Sequence, residues 1–411
     1  MQAIPDKAIT PPPECTGCAL CANVCAHDAI NMVWSEDGFL VPEVDATRCM
    51  NCGACVKACP AQPEHLEKLR ANATPQLQPV SYGGWHKNKQ MHLSSSSGGI
   101  FTALAQHTFN AGGCVFGVVW SSKDTAEFTK AENMAELAAM RGSKYTQAMP
   151  GTVYRQVKTE LKKGRHVLFC GTPCQVYALR RYLRKEYDNL LLVDILCHGV
   201  PSRHLLQSYI REYEREEGKT ISLIQFRDKA GNWQQYHVKK HFTDETSTSH
   251  RNWEDMFMRI FIGDFVLNTA CYNCPHARLP RVGDITLGDF WGDLQKLHPD
   301  WPISDGIGAV LANTVRGTKY LDILHSSGNI TLHQVLFSEL YHGQPSTYQR
   351  PATTPPSQRH EVLKLLKDSP VSVAYRFLYT HTNRNPFSFT RYRILHKIYH
   401  KLRVLKQRLF P

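Results

Sequence analysis

The sequence predicts a mixed α/β fold with a partly parallel sheet, preceded by a small, loop-like, cysteine-rich module. Three observations predict it. Strand-like and helix-like stretches alternate between residues 165 and 226, and eight of the 14 cysteines fall between Cys15 and Cys59. A hydrophobic fraction of 42% with 10% aromatics over 411 residues describes a globular chain, long enough for two or three cores.

The alternation is read in order. Arg165–Cys170 is an apolar strand, Gly171-Thr-Pro173 a turn, and Cys174–Tyr187 a helical stretch. Asn189–Cys197 is the next strand, His198–Ser202 its loop, and a helix follows to about Glu217 before Thr220–Phe226 begins another strand. Strands and helices of these lengths imply βαβ units and a partly parallel sheet. Ligands of such sheets sit outside the carboxyl ends of the strands, where Gly171–Pro173 and His198–Ser202 both fall.

Four segments are expected: the cysteine-rich module at 1–74, the α/β domain at 75–344, a linker rich in Pro, Thr and Ser at 345–358, and a basic tail at 359–411. The net charge of +12 belongs to the C-terminal part, where 13 Lys/Arg from Ser346 onward face two acids, Glu361 and Asp368. The rest is nearly neutral, so a basic nucleic-acid groove is not expected. From Arg391 to Phe410 there are seven Lys/Arg and no acids, with Leu395, Ile398, Leu402, Leu405 and Leu409 drawing an apolar stripe at helical spacing. Two readings stand for this stripe: contact with an anionic membrane surface or acidic partner, or packing against the protein's own body. Runs such as Leu190–Val193 fall far short of the ~20 apolar residues of a membrane span, and Met1–Lys7 shows no apolar signal stretch. The expected location is cytoplasmic, and, on the membrane reading of the stripe alone, peripheral at the inner membrane face.

In such a location cysteines point to metal ligation or redox chemistry rather than disulfides. Cys15-x₂-Cys18-x₂-Cys21-x₃-Cys25 is followed by Cys49-x₂-Cys52-x₂-Cys55-x₃-Cys59-Pro60, the bacterial ferredoxin run written twice. Three thiolates on one tight loop reach three corners of a cubane, and the fourth cysteine reaches the neighbouring cluster. Cys15, Cys18, Cys21 and Cys59 are therefore expected to hold one [4Fe–4S] cluster, and Cys49, Cys52, Cys55 and Cys25 the other. Ala26 stands where the first run would usually carry proline, which leaves the ligands unchanged. Zinc is the competing reading, but its four ligands come as two pairs and fit two consecutive four-cysteine runs poorly. Of the six remaining cysteines, Cys174 and Cys197 follow adjacent strands and Cys271-Tyr-Asn-Cys274 forms a pair. On spacing alone these four are as consistent with buried core thiols as with a third cluster.

The chain resembles a known family, the beta subunits of coenzyme F-420 (deazaflavin) hydrogenases and dehydrogenases. The resemblance runs from about Ser94 to Gly317 and rests on seven motifs in order: Ser94–Gly99, Arg141–Tyr145, Gly171–Gln175 with Ala178–Arg180, Cys197–Ser202, Phe226–Lys229, Cys271–Cys274 and Asp284–Trp291. The fused ferredoxin module resembles the bacterial branch often linked to surface-polysaccharide genes. The resemblance implies FAD and a further [4Fe–4S] cluster in the α/β domain, the latter on Cys174, Cys197, Cys271 and Cys274. Cys114 and Cys170 fall at positions that the family varies, and are expected to be core thiols.

Flavin contacts are expected from Ser96, Ser97, Gly98, Gly99, Gly142, Ser143, Lys144, Tyr145, Gly171, Thr172, Pro173, His198 and Gly199. Small residues at a helix start let backbone N–H groups approach a diphosphate, although a serine-rich loop also caps helices without binding anything. Lys144 pairs with a phosphate or reduced ring, or is merely solvated. His198 donates to the flavin or caps its helix. Arg227 and Lys229 bind an acidic ligand or form ion pairs, and Asp284 and Asp289 are ligand contacts or part of a packed turn. The implied function is an iron–sulfur flavoprotein oxidoreductase working with a ferredoxin, deazaflavin or nicotinamide carrier or an organic substrate. The alternative is an electron-relay subunit of a partner enzyme.

Overall fold

The computed structural model describes residues 5–71, 79–348, 350 and 352–381. Two short helices, Leu20–Val24 and Ala54–Ala58, each follow a left-handed residue (Ala19, φ 58°; Gly53, φ 71°) and end at a cysteine in extended conformation, Cys25 or Cys59. The duplicated motif thus folds as a duplicated turn–helix. The antiparallel hairpin β1 (Ile30–Trp34) and β2 (Leu40–Val44) lies between the copies.

The body contains β3 (Val80–His86), β4 (Cys114–Trp120), β5 (Ala126–Ala131), β6 (Ala148–Met149), β7 (Val167–Gly171) and β8 (Leu190–Ile195). Next come β9 (Ile221–Asp228), β10 (His237–Phe242), β11 (Ser247–Arg251), β12 (Ile285–Asp289), β13 (Gly308–Ala312) and β14 (Ile330–Val335). Among the described residues the main sheet runs β14-β3-β13-β12-β8-β7-β4-β5-β6. Its centre, β12-β8-β7-β4, is parallel, and β13, β3 and β14 extend it antiparallel. The parallel strands read as continuous apolar runs because both faces are covered. In β7, Leu168 packs with the helices Ile100–Asn110 and Val315–Ser326, while Val167 and Phe169 pack with Val153–Lys162 and Pro173–Leu183.

The cysteine module sits on the second of those faces. Leu20, fully buried, and Cys18 join the core with Tyr154, Val157 and Leu179, and burying such a leucine contributes about 2 kcal/mol. Gln147 fixes the register of the contact, its amide donating to Thr16 O at 3.0 Å while its oxygen accepts from Leu40 N at 2.8 Å. Tyr154 Oη donates to Cys18 O at 2.8 Å.

Three expectations change. The strand starting near Thr220 leaves the main sheet and pairs antiparallel with β10. The helix after β7 stops at Leu183, because Arg184 turns left-handed at φ 61°. The 345–358 segment is anchored rather than free: Pro345–Tyr348 is a helical turn with Tyr348 fully buried, and the buried Arg350 reaches Asp264 Oδ2 at 2.9 Å. Beyond it, helices Arg359–Asp368 and Val371–His381 bury Leu363, Leu366 and Tyr375 in one core with helix Arg203–Glu217 and β9–β10. The apolar stripe expected between 391 and 410 lies outside the described residues. No described helix is long and apolar enough to cross a membrane.

Candidate functional site

A cavity of about 350 Å³ opens at the carboxyl ends of the parallel strands. Its wall takes Cys170 and Gly171 from β7, Ile195 and Leu196 after β8, and Leu287–Asp289 from β12. The serine-glycine loop crosses it. Gly98 is required there: a Cβ would stand 2.1 Å from Gly84 O and 2.7 Å from Gly308 N, both main-chain atoms that cannot move aside. Ser97 Oγ donates to Ile307 O at 2.8 Å, which pins the loop to the strand edge. Gly99, left-handed at φ 83°, starts the helix Ile100–Asn110 with no side-chain cap. The first N–H groups of that eleven-residue helix therefore lie at the cavity without a capping side chain. In the same wall Thr102 Oγ1 and Arg141 Nε are buried without partners.

The structure brings together Ser96, Ser97, Gly98, Gly99, Gly142, Ser143, Lys144, Tyr145, Gly171 and Thr172 around this cavity. Ser143 Oγ donates to Ser96 Oγ at 2.9 Å, joining two of the motifs. Lys144 Nζ donates to four carbonyls, those of Ala139, Met140, Arg141 and Gly142, at 3.0–3.2 Å. Burial lowers its pKa to about 7, with the Cys170 thiol acting in the opposite sense. Its ammonium thus shapes the Arg141–Tyr145 loop.

Pro173, His198 and Gly199 are not part of the cavity wall. Pro173 opens the helix after β7. His198 instead lies 2.8 Å from Asp264 and edge-on to Phe261, and Gly199, at φ 136°, packs against Leu267 before Val200 rejoins the cavity wall. Lys229 is likewise spent internally, donating to the carbonyls of His92, Ser97 and Asp305. Asp284 is buried and accepts from Leu192 N at 2.9 Å and Thr314 Oγ1 at 2.9 Å, so it ties strands together. Arg227 and Asp289 do line the cavity, as a bidentate pair with N–O distances of 2.6 and 3.0 Å. Sequence reasoning missed Thr16, Thr102, Gln147 and Gln344, which also line it.

The cysteines gather in three sets. Cys15, Cys18, Cys21 and Cys59 sit within one another's electrostatic reach: burial pushes Cys15 up to about 12 and Cys59 to about 11, and neighbouring thiols add to both shifts. Cys25, Cys49, Cys52 and Cys55 line a small cavity of their own, with Cys52 exposed. Cys174, Cys197, Cys271 and Cys274 form the third set, where burial raises Cys197 to about 11 and the neighbouring Cys274 adds to it. Cys174 also feels Cys18 and belongs to the wall of the large cavity. Cys170, beside Lys144 and Asp194, stands apart from the four. Among the described residues no three His, Cys, Asp or Glu side chains converge as ligands of one ion; the thiolates of a cubane each bind a different iron.

Comparison with known proteins matches three segments of the chain. Residues 14–62 match a 4Fe-4S dicluster domain. Residues 81–153 and 164–336 match the N-terminal and C-terminal parts of the coenzyme F420 hydrogenase/dehydrogenase beta subunit. One component of the Na(+)-translocating ferredoxin:NAD(+) oxidoreductase complex of Acetobacterium woodii is 50% identical over 46 residues, 11% of this chain and 13% of that protein. An uncharacterized protein of Methanocaldococcus jannaschii is 25% identical over 212 residues, 43% of this chain and 55% of its own. The chain therefore spans about half or less of the length of these relatives. A chain of the F420-reducing [NiFe] hydrogenase complex from Methanosarcina barkeri superposes with a TM-score of 0.48 at 15% identity, covering 77% of this chain and 99% of its own. With two matched segments that together span more than half of its length, the chain belongs to the coenzyme F420 hydrogenase/dehydrogenase beta-subunit family, joined to a 4Fe-4S dicluster domain.

Proposed function

We propose that the chain is an FAD-dependent iron–sulfur oxidoreductase, with three [4Fe–4S] clusters ordered from the surface to the large cavity and the flavin bound in that cavity. Cys25, Cys49, Cys52 and Cys55 hold the outer cluster, Cys15, Cys18, Cys21 and Cys59 the inner one, and Cys174, Cys197, Cys271 and Cys274 the third. When bound, a flavin exchanges electrons in pairs with one partner and singly with clusters.

The single observation that carries this reading is the position of Cys174, which neighbours Cys18 of the module on one side and forms cavity wall on the other. The cavity residues suit a dinucleotide. The uncapped helix start and the Gly98 close approach suit a diphosphate, and Thr102 Oγ1 and Arg141 Nε are donors without partners. The volume falls within the ~300–1,000 Å³ of small-molecule sites. On the substrate side the proposal takes a deazaflavin, nicotinamide or ferredoxin-type carrier or an organic substrate. The resemblance to the polysaccharide-linked branch directs the search to cell-surface glycan metabolism.

Anaerobic purification tests it. Iron content of about twelve per chain and yellow flavin released on denaturation are expected. Cys197→Ser loses about four irons, whereas Cys170→Ser keeps them all. About eight irons and no flavin refutes the proposal. Turnover by the isolated chain with an artificial acceptor separates an enzyme from a relay component.

A further inference from the structure

Each copy of the cysteine motif is gripped by one arginine of the body. Arg155 donates to Asn23 O at 2.9 Å, Ala22 O at 3.0 Å and Cys25 O at 2.6 Å, the carbonyls that end the first short helix. Arg181 donates to Ala58 O at 2.9 Å and Lys57 O at 3.1 Å, the carbonyls that end the second. Both positions suit a cation, since they meet the negative ends of helix dipoles.

The two clamps differ in net charge. Arg155 Nη1 is 2.5 Å from Asp28 Oδ1, so the positive charge beside Cys25 is compensated. Among the described residues, no carboxylate lies within 4 Å of Arg181. Its Nη2 lies 3.2 Å from His65 Nε2, and His65 Nδ1 contacts Cys59 O at 2.8 Å. With Arg181 as donor, a chain of donors ends on the carbonyl of an inner-cluster ligand. Glu64 approaches His65 at 3.5 Å but is 70% exposed. Lys7, His27, Arg48 and Lys57 near the outer set are exposed, as are Asp6 and Glu43, and solvent screens these; Asp28 differs in being held against Arg155.

We propose that Arg181 raises the reduction potential of the inner cluster above that of the outer one, so that a single electron entering the module rests on the inner cluster. The charge of Arg181 acts on Cys18 and Cys59, ligands of the inner set, whereas the pair Arg155–Asp28 gives the outer set no comparable bias. Reduction adds one negative charge, and a nearby uncompensated cation favours it. This inference rests on the ligand assignment of the preceding section.

The test is an anaerobic redox titration of the full-length, cluster-loaded protein, monitored by electron paramagnetic resonance after iron content has been confirmed. Arg181→Gln is expected to make the higher-potential couple of the module about tenfold harder to reduce, ~59 mV for one electron. Arg181→Lys retains the potential and Asp28→Asn raises the lower couple, narrowing the gap from the other side. Arg181→Gln leaving both midpoints in place, or lowering the lower couple, overturns the proposal, as does Arg181→Lys falling as far as Arg181→Gln. Should Arg181→Gln not retain its clusters, Asp28→Asn decides: an unchanged gap refutes the asymmetry. Iron missing from the unmodified protein would instead refute the ligand assignment.

Discussion

Asp289→Asn is the perturbation whose size the structure fixes best. Arg227 is 4% exposed and Asp289 17%, and two N–O contacts of 2.6 and 3.0 Å join them. Trp233 Nε1 donates to the same carboxylate at 3.2 Å. Removing one partner of such a pair leaves a buried charge and costs ~3–5 kcal/mol. The guanidinium also lies 4.2 Å from the Tyr236 ring and 5.3 Å from Trp291, contacts worth ~0.5–2 kcal/mol each that survive the substitution. The asparagine oxygen keeps one acceptor, so the lower end applies and about 3 kcal/mol is expected. Replacing both residues, Arg227→Met with Asp289→Leu, removes the orphaned charge and costs less than the sum of the single changes by about 2 kcal/mol. Trp233 and Trp291, stacked on each other at 4.6 Å beside this pair, provide the probe: tryptophan fluorescence through a urea transition under argon, compared at equal slope. Single changes that add to the double within about 0.5 kcal/mol, or an Asp289→Asn loss under about 1 kcal/mol, refute the reasoning.

Three further outcomes are expected. Gly98→Ala forces its Cβ onto main-chain atoms, a collision of the ~1–3 kcal/mol class; flavin affinity in an equilibrium titration should fall about ten- to hundredfold while iron content stays unchanged. His92, buried and bonded to Gly306 O at 2.5 Å, has its pKa lowered to about 4, chiefly by burial. Between the ordinary value and that one the unfolded chain binds more protons, so stability falls as pH drops from about 6.5 to 4, by at most about 3 kcal/mol; urea midpoints of His92→Gln should show a shallower acid limb, and an identical limb contradicts the assignment. A chain shortened after His381 keeps the buried Leu366 and Tyr375 but loses the basic stripe; it should fold normally and no longer sediment with anionic liposomes. Undiminished sedimentation removes the membrane reading.

Much of the cavity was legible in the sequence because periodicity determines where parallel strands end. Cys170 and Gly171 close a fully apolar run, so the loop after them had to reach the ligand side of the sheet. The strand starting near Thr220 gave a weaker signal: β9 buries Ile221 and Ile224 but exposes Ser222, Leu223 and Gln225, a half-solvated pattern that belongs to an antiparallel sheet. Composition misled at 345–358. Its Pro, Thr and Ser content describes the average, whereas Tyr348 and Arg350 anchor the segment singly. His198 illustrates the limit of placing a residue by its loop alone, since Leu196 and Val200 on either side of it line the cavity while its own ring meets Asp264.

The third cysteine set divides along the same line. Cys174 and Cys197 follow β7 and β8, which pair in parallel from Val167↔Leu190 to Gly171↔Asp194, so their neighbourhood follows from strand order alone. Cys271 and Cys274 arrive from 74 residues further on, and no local pattern brings them there. The structure does so with long-range ties: Pro201 bridges to Leu267, Asn268 N donates to Val200 O at 2.9 Å, and Arg350 holds Asp264. Arg350 also bonds His198 O and lies within electrostatic reach of Cys197 and Cys271. The residue that the sequence assigns to a linker is thus a buried cation beside the thiols that would carry negative charge once iron is bound. Its charge is balanced by Asp264 at 2.9 Å, so the pair joins the loop of His198 to the segment that carries Cys271 and Cys274 without leaving a lone buried ion.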